Sequence, residues 1–220
     1  MIDIYVKKFE RAWYGLAYTE ERILATVVSS AKQEAVRNLQ GSVPVGVEHR
    51  SVEEGSEFAE KTILMLKDLE QGKEEIKRFS LATEYISEPV ARVLEIAAAI
   101  PIGYVTSYGN IAQTAGTAPR AVGRIMAMNP LYPIVPCHRV IGADFSLVGY
   151  GGRKNLQALQ AKLARLSKEA KGFTKEKEVL TNGRKLRVYP VEYVIKRSEK
   201  HGPISSRQRS LCDCIKSSAL

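Results

Sequence analysis

Cysteine and histidine are scarce, with Cys137, Cys212 and Cys214 as the only thiols and His49, His138 and His201 as the only imidazoles in 220 residues. So few cysteines, two of them one residue apart, exclude a disulfide framework, and the odd count directs attention to a free thiol. Cys212-Asp213-Cys214 with a single nearby histidine cannot close a tetrahedral shell, so no metal site is assigned. No run of 18 apolar residues occurs, and the start, MIDIYVKKFERAW, lacks the basic end and apolar stretch of a secretory signal. These absences predict a soluble cytoplasmic protein (nuclear if the source is eukaryotic) with no membrane partner. Internal repeats are also missing.

With 45% hydrophobic residues the chain can bury a substantial core. The net charge of +9 is unevenly placed. Lys and Arg number 13 against 17 Asp and Glu over residues 1–100, 6 against 1 over 101–164, and 14 against 6 over 165–220. The acidic front is a poor partner for a polyanion, whereas the middle and tail can hold phosphates by charge; basic residues that merely keep a surface soluble would look the same.

The apolar stretches IDIYV, WYGLAY and RILATVV, separated by charged turns, predict a small antiparallel sheet. Residues 31–39 and 54–69 carry apolar side chains three and four apart (Phe58, Ile63, Leu64, Leu66, Leu69), as helices packed on that sheet would. The fold class read from this is an α/β N-terminal domain over 1–80, followed after a charged linker (71–81) by a mainly α-helical domain over 81–170. In the latter, SEPVARVLEIAAAI reads as a capped helix ending before Pro101. Thr106 or Ser107 can cap SYGNIAQTA, Gly116 stops it, and PRAVGRIMAM follows, so about 106–128 has the layout of a helix-turn-helix. Many such pairs are only packing units, but Arg120 and Arg124 stand where a recognition helix makes contacts. PIVPCHRVIG reads as an irregular interior strand, and 153–166 as a helix with Leu156, Leu159, Leu163 and Leu166 on one face. From 171 to 220 a basic extension is expected, with a hairpin about Asn182-Gly183 and a flexible end from about Glu199.

Cys137 stands between Pro136 and His138, and the neighbouring histidine and arginine favour thiolate, a soft nucleophile; a buried, space-filling cysteine is the plainer reading. On a strand, His138 would point away from the sulfur and act through a bridging water.

IPIGYVTSYGNIAQTAG, PRAVGRIMAMNP, IVPCHRVIG and VGYGG, in that order, closely resemble the alkylguanine-DNA alkyltransferase family, also called methylated-DNA-protein-cysteine methyltransferases. The resemblance covers about residues 87–152, the front half in general shape only, and the tail from Lys171 not at all. It implies a ribonuclease H-like front domain and irreversible transfer of an alkyl group from 6-O-methylguanine, or 4-O-methylthymine, in double-stranded DNA to Cys137. It further implies one turnover, no cofactor and a monomer. Of the catalytic residues it implies, His138 takes the thiol proton through a water, and Tyr108 helps to rotate the nucleotide and protonate the departing guanine. Arg120 fills the gap in the base stack, while Ala121 and Gly123 allow close approach to the groove beside Arg124. Asn129 braces the helix-turn-helix against the active-site strand, and Val148, Gly149 and Tyr150 wall the base pocket. Pro136, Arg139 and Val140 support it as the remainder of the PCHRV signature. A front metal site is not expected, since residues 1–100 hold no cysteine and only His49.

One part of the pattern is missing. The family orients its histidine with a glutamate on the helix after the GG turn, but no acidic residue lies between Asp144 and Glu169, and Glu169 reads as too far along. Two other readings therefore stay open: a module that flips and holds alkylguanine with little transfer, and a helix-turn-helix regulator in which Cys137 is a sensor thiol. A cysteine hydrolase lacks a third triad member.

Overall fold

The computed structural model describes residues 1–73 and 80–202, and the chain divides into two compact units, Met1–Leu94 with Asn129–Pro136, and Glu95–Met128 with Cys137–Leu220. Most of the expected charged linker, with Cys212, Cys214 and most of the tail expected to be flexible, lies outside the described residues. No helix among those described is long and apolar enough to cross a membrane.

In the first unit, β1 (Ile2–Phe9), β2 (Ala12–Thr19) and β3 (Arg22–Ser29) form an antiparallel meander. The sheet is mixed rather than wholly antiparallel, because β4 (His49–Val52) joins β1 in parallel, giving the order β3-β2-β1-β4. HRSV is too short and polar to announce itself as a strand. Helices α1 (Lys32–Ser42) and α2 (Glu57–Glu70) accompany the sheet. α2 starts where the Ser56 side chain accepts the Ala59 N–H, with Glu57 and Glu60 in the first turn suiting its dipole. α1 meets the sheet at Gly15, where a Cβ would lie 2.7 Å from Leu39 Cδ1. Residues 129–136 belong to this unit through bonds from the Thr26 N–H to Pro130 O (2.7 Å) and from Tyr132 Oη to Glu70 Oε2 (2.6 Å).

The chain leaves the first unit within α3 (Glu88–Ala98). The second unit is less purely helical than its sequence suggests, for it holds a four-stranded mixed sheet ordered β6-β5-β8-β7. β5 (Tyr104–Ser107) is parallel to β6 (Val140–Ile141) and antiparallel to β8 (Arg184–Pro190), which pairs with β7 (Lys177–Thr181). The β7–β8 hairpin turns at Asn182 (φ 48°) and Gly183 (φ 71°), the positive pair that an Asn-Gly two-residue turn supplies. Rather than standing free, it extends the sheet through β5. Ser107 caps α4 (Tyr108–Ala115), Gly116 ends it at φ 70°, and Pro119 opens α5 (Pro119–Ala127). Asn155 caps α6 (Leu156–Lys168), and α7 (Val191–His201), which polar spacing concealed, ends the described chain. Val105, Ile141, Leu147, Leu159, Leu166, Val191 and Val194 form the core that these elements share.

Candidate active site

β5 delivers Tyr108 to the first position of α4, and the loop after α5 returns the chain at Cys137. The expected strand through PCHRV is confined to β6; Cys137–Arg139 is a single 3-10 turn. Its two neighbours therefore do not alternate across a sheet face, and His138 and Arg139 both turn inward, only 3% and 8% exposed.

Half-buried Cys137 opens into a cavity of about 520 Å³ that is also lined by Tyr108, Arg120, Gly123, Arg124, Val148, Gly149 and Tyr150. Eight residues singled out from sequence thus meet at one cavity. Glycines at 151 and 152, both at positive φ, let the wall turn back on itself. Arg120 and Arg124 lie four apart on the exposed side of α5, opposite buried Val122 and Met126. Ala121 is half-buried on the same helix but does not line the cavity. His138, Arg139 and Val140 stand behind it, buried. Asn129 and buried Pro136 belong to the first unit; Asn129 donates to Val135 O (2.8 Å) and accepts the Leu131 N–H (3.0 Å), closing the turn between them.

Glu169, at the end of α6, lies 2.8 Å from His138 Nε2. A carboxylate only accepts, so Nε2 carries the proton and Nδ1 presents a lone pair. Nδ1 is buried without a hydrogen bond to any described residue. Burial pushes the His138 pKa down to about 4, against the raising effect of Glu169, so the ring is neutral at pH 7. Burial opposes ionisation of Glu169 too, but hydrogen bonds from His138 and Arg139 overcome it and bring its pKa to about 2. Arg139 holds that carboxylate with Nε (2.8 Å) and Nη2 (3.0 Å) and donates Nη1 to Ile100 O (2.6 Å). Burial, and then the charge of Cys137, raise the Tyr108 pKa to about 12, leaving a proton donor at the cavity wall.

Residues 88–171 match the family model of the 6-O-methylguanine DNA methyltransferase DNA binding domain. Over 68 residues the chain is 53% identical to the methylated-DNA–protein-cysteine methyltransferase of Pyrobaculum aerophilum, a stretch of 29% of this chain and 46% of that protein. The chain thus spans under half the length of that relative. The likeness is thus to the DNA binding domain of that family, over residues 88–171. The enzyme of the same name from Methanocaldococcus jannaschii is 29% identical over 143 residues, 65% of this chain and 82% of that one. A solved variant of the O6-methylguanine methyltransferase of Mycobacterium tuberculosis superposes with a TM-score of 0.54 at 26% identity, covering 80% of this chain and 96% of that one.

Sequence reading missed two members of this site. Glu169 reads from sequence as too far along the helix to serve; in the structure α6 runs to Lys168, and its cap, Glu169, carries the carboxylate back to the PCHR turn. Lys162 was overlooked altogether. It is fully buried, its Nζ donates to Val140 O (2.6 Å) and Gly149 O (3.0 Å), and burial lowers its pKa to about 8 against the opposing charge of Cys137. The available signal was its place between Leu159 and Leu166 on the buried stripe of α6, where an unpartnered lysine is rare.

Proposed function

We propose that the protein repairs DNA by irreversible transfer of an alkyl group from 6-O-methylguanine, and from 4-O-methylthymine, to Cys137, once per molecule and without a cofactor. The observation that carries this is the meeting of Cys137 and Tyr108 at one cavity backed by the His138–Glu169 pair. His138 Nδ1 takes the thiol proton through a water. The thiolate attacks the alkyl carbon, the sulfur–carbon bond forms as the carbon–oxygen bond breaks, and Tyr108 protonates the departing guanine. Thioether formation is not reversed by any group at the site.

The target atom is inside a duplex, so the base must leave the stack at a cost of about a few kcal/mol. In this reading α4 and α5 act as a helix-turn-helix, Arg120 fills the gap, Arg124 holds phosphate, and Ala121 and Gly123 admit the groove without reading its sequence. A Cβ at Gly123 would meet nothing within 4 Å, in keeping with an open face. The base enters the cavity walled by Val148, Gly149 and Tyr150, with Arg139 and Val140 supporting the turn behind. The first unit is taken as a ribonuclease H-like domain, and the protein as a monomer acting in the cytoplasm.

The test is intact-protein mass spectrometry after incubation with a duplex bearing one 6-O-methylguanine, with Cys137→Ser alongside. A gain of one methyl group on Cys137 alone, stopping at one, is expected. Tighter binding of the damaged duplex without mass gain points instead to a damage-binding module, and equal binding of damaged and undamaged duplex to a regulator.

A further inference from the structure

Glu169 works only if the end of α6 stays where it is. It is the last residue tied into that helix by a short bond, its N–H donating to Leu166 O at 3.0 Å, while the next, from Ala170 to Ser167 O, is stretched to 3.4 Å. Helix ends fray unless their exits are held. Here the exit is held by an element 20 residues further on: Oε1 of Glu192, in the first turn of α7, accepts the successive N–H groups of Lys171 (3.1 Å), Gly172 (2.6 Å) and Phe173 (3.1 Å). Gly172 takes φ +73° to aim them at one oxygen. Three converging N–H groups, with the positive end of α7 beside them, suit a carboxylate and no neutral side chain as well. Its other oxygen, Oε2, is buried and makes no hydrogen bond to a described residue. Phe173 then stacks on Tyr104 of β5 (4.9 Å between centroids), whose strand pairs with β8 at Pro190, and the Val191 N–H donates to Gly103 O at 3.0 Å. The family model stops at residue 171, so the anchor lies outside the matched domain.

We infer that Glu192 is a positioning residue for the Glu169–His138 pair, which makes the C-terminal segment part of the reactive apparatus. The inference rests on the proposed alkyl transfer. When the exit turn loosens, Glu169 leaves His138 for part of the time, the imidazole becomes a poorer proton acceptor, and the thiolate forms only at higher pH. The charged and titratable groups around this chain of contacts are Arg139 and Arg165 facing His138, and Lys162 and Tyr108 facing Cys137.

The experiment measures single-turnover transfer from a 6-O-methylguanine duplex against pH for the full-length chain, Glu192→Ala and Glu192→Gln, with duplex affinity and melting temperature recorded in parallel. For Glu192→Ala the rate at neutral pH should fall about tenfold, the lower end of what loss of an orienting outer partner costs. The rising limb should move about one pH unit to the alkaline side, the pH equivalent of that tenfold, with affinity for the damaged duplex unchanged and the rate recovering at high pH. Glu192→Gln, which keeps an oxygen for the three N–H groups, should restore most of the neutral rate. Gly172→Ala strains the same turn without touching the carboxylate and should move the limb the same way; it decides the matter if Glu192→Ala does not fold. A lowered melting temperature with an unmoved pH profile overturns the inference and leaves the proposed function intact, whereas absence of transfer by the unaltered chain overturns the function itself.

Discussion

Glu169→Gln separates the charge of that residue from its shape. The carboxylate accepts three hydrogen bonds from His138 and Arg139 with 9% of its side chain exposed. Its pKa of about 2, against the ordinary 4.5, means that the folded state favours the ionised form. At about 1.4 kcal/mol per pH unit this is roughly 3 kcal/mol of stability at pH 7. A separate argument gives a similar size, since removing one partner of a buried pair leaves the other charge uncompensated at about 3–5 kcal/mol. For a chain of this length each kcal/mol moves the melting temperature by about 2–4 °C, so Glu169→Gln should melt about 6–12 °C lower at pH 7. Because the folded pKa is depressed, the contribution is complete above pH 4.5 and disappears as the pH falls through 2, so the gap between the two proteins should narrow over that window. Transfer should slow by about a hundredfold, the low end for a disabled general base, because the negative charge that raises the basicity of His138 is then gone. Scanning calorimetry and single-turnover mass spectrometry read the two effects. A melting temperature within about 2 °C of the unaltered protein, with an unchanged rate, would refute the assignment of Glu169 as the carboxylate that orients His138.

Lys162 has a folded pKa of about 8 against the ordinary 10.5, so the unfolded chain binds the extra proton and stability should rise between pH 8 and 10.5; Lys162→Met should abolish that rise in a pH series of denaturant melts. Arg120→Ala should slow transfer from duplex by about tenfold or more while leaving transfer from the free 6-O-methylguanine base unchanged, since the free base needs no gap to be filled; equal losses with both substrates contradict the intercalating role. Deletion from Lys171 onward removes the strand paired with β5 and should abolish cooperative melting of the second unit by circular dichroism, rather than only flattening the salt dependence of DNA binding.

Cys137 was legible from its Pro-Cys-His-Arg setting, and Arg120 and Arg124 from Pro119 opening a helix that places them one turn apart; Tyr108, Val148, Gly149 and Tyr150 were legible only through the family resemblance of SYGN and VGYGG. What joins distant segments was not legible. Whether Glu169 reaches His138 depends on two residues of helix length and on the direction of the cap, which periodicity fixes no better than that. α7 was hidden because only Val191 and Val194 are buried in it. The hairpin was found from Asn182-Gly183, but its partner strand β5 lies some 80 residues earlier, and no turn signal records that pairing.

The same distinction changes the electrostatic reading of the thiol. In sequence, His138 and Arg139 look like the cations that would draw a proton from Cys137. In the fold, burial keeps His138 neutral at pH 7, and the guanidinium of Arg139 is committed to Glu169 and Ile100 O. The cation whose own ionisation responds to Cys137 is Lys162, brought from the middle of α6 and bonded to both the β6 strand and the pocket wall at Gly149. In the proposed transfer, activation is therefore divided between a neutral base, held in one tautomer by Glu169, and a buried ammonium that favours the thiolate once formed. A neutral base accepts a proton more readily than an imidazolium, which has no lone pair to offer. That explains how a histidine with so low a pKa suits the role: it remains a free acceptor across the whole neutral range, while the charge that steadies the thiolate comes from a different residue.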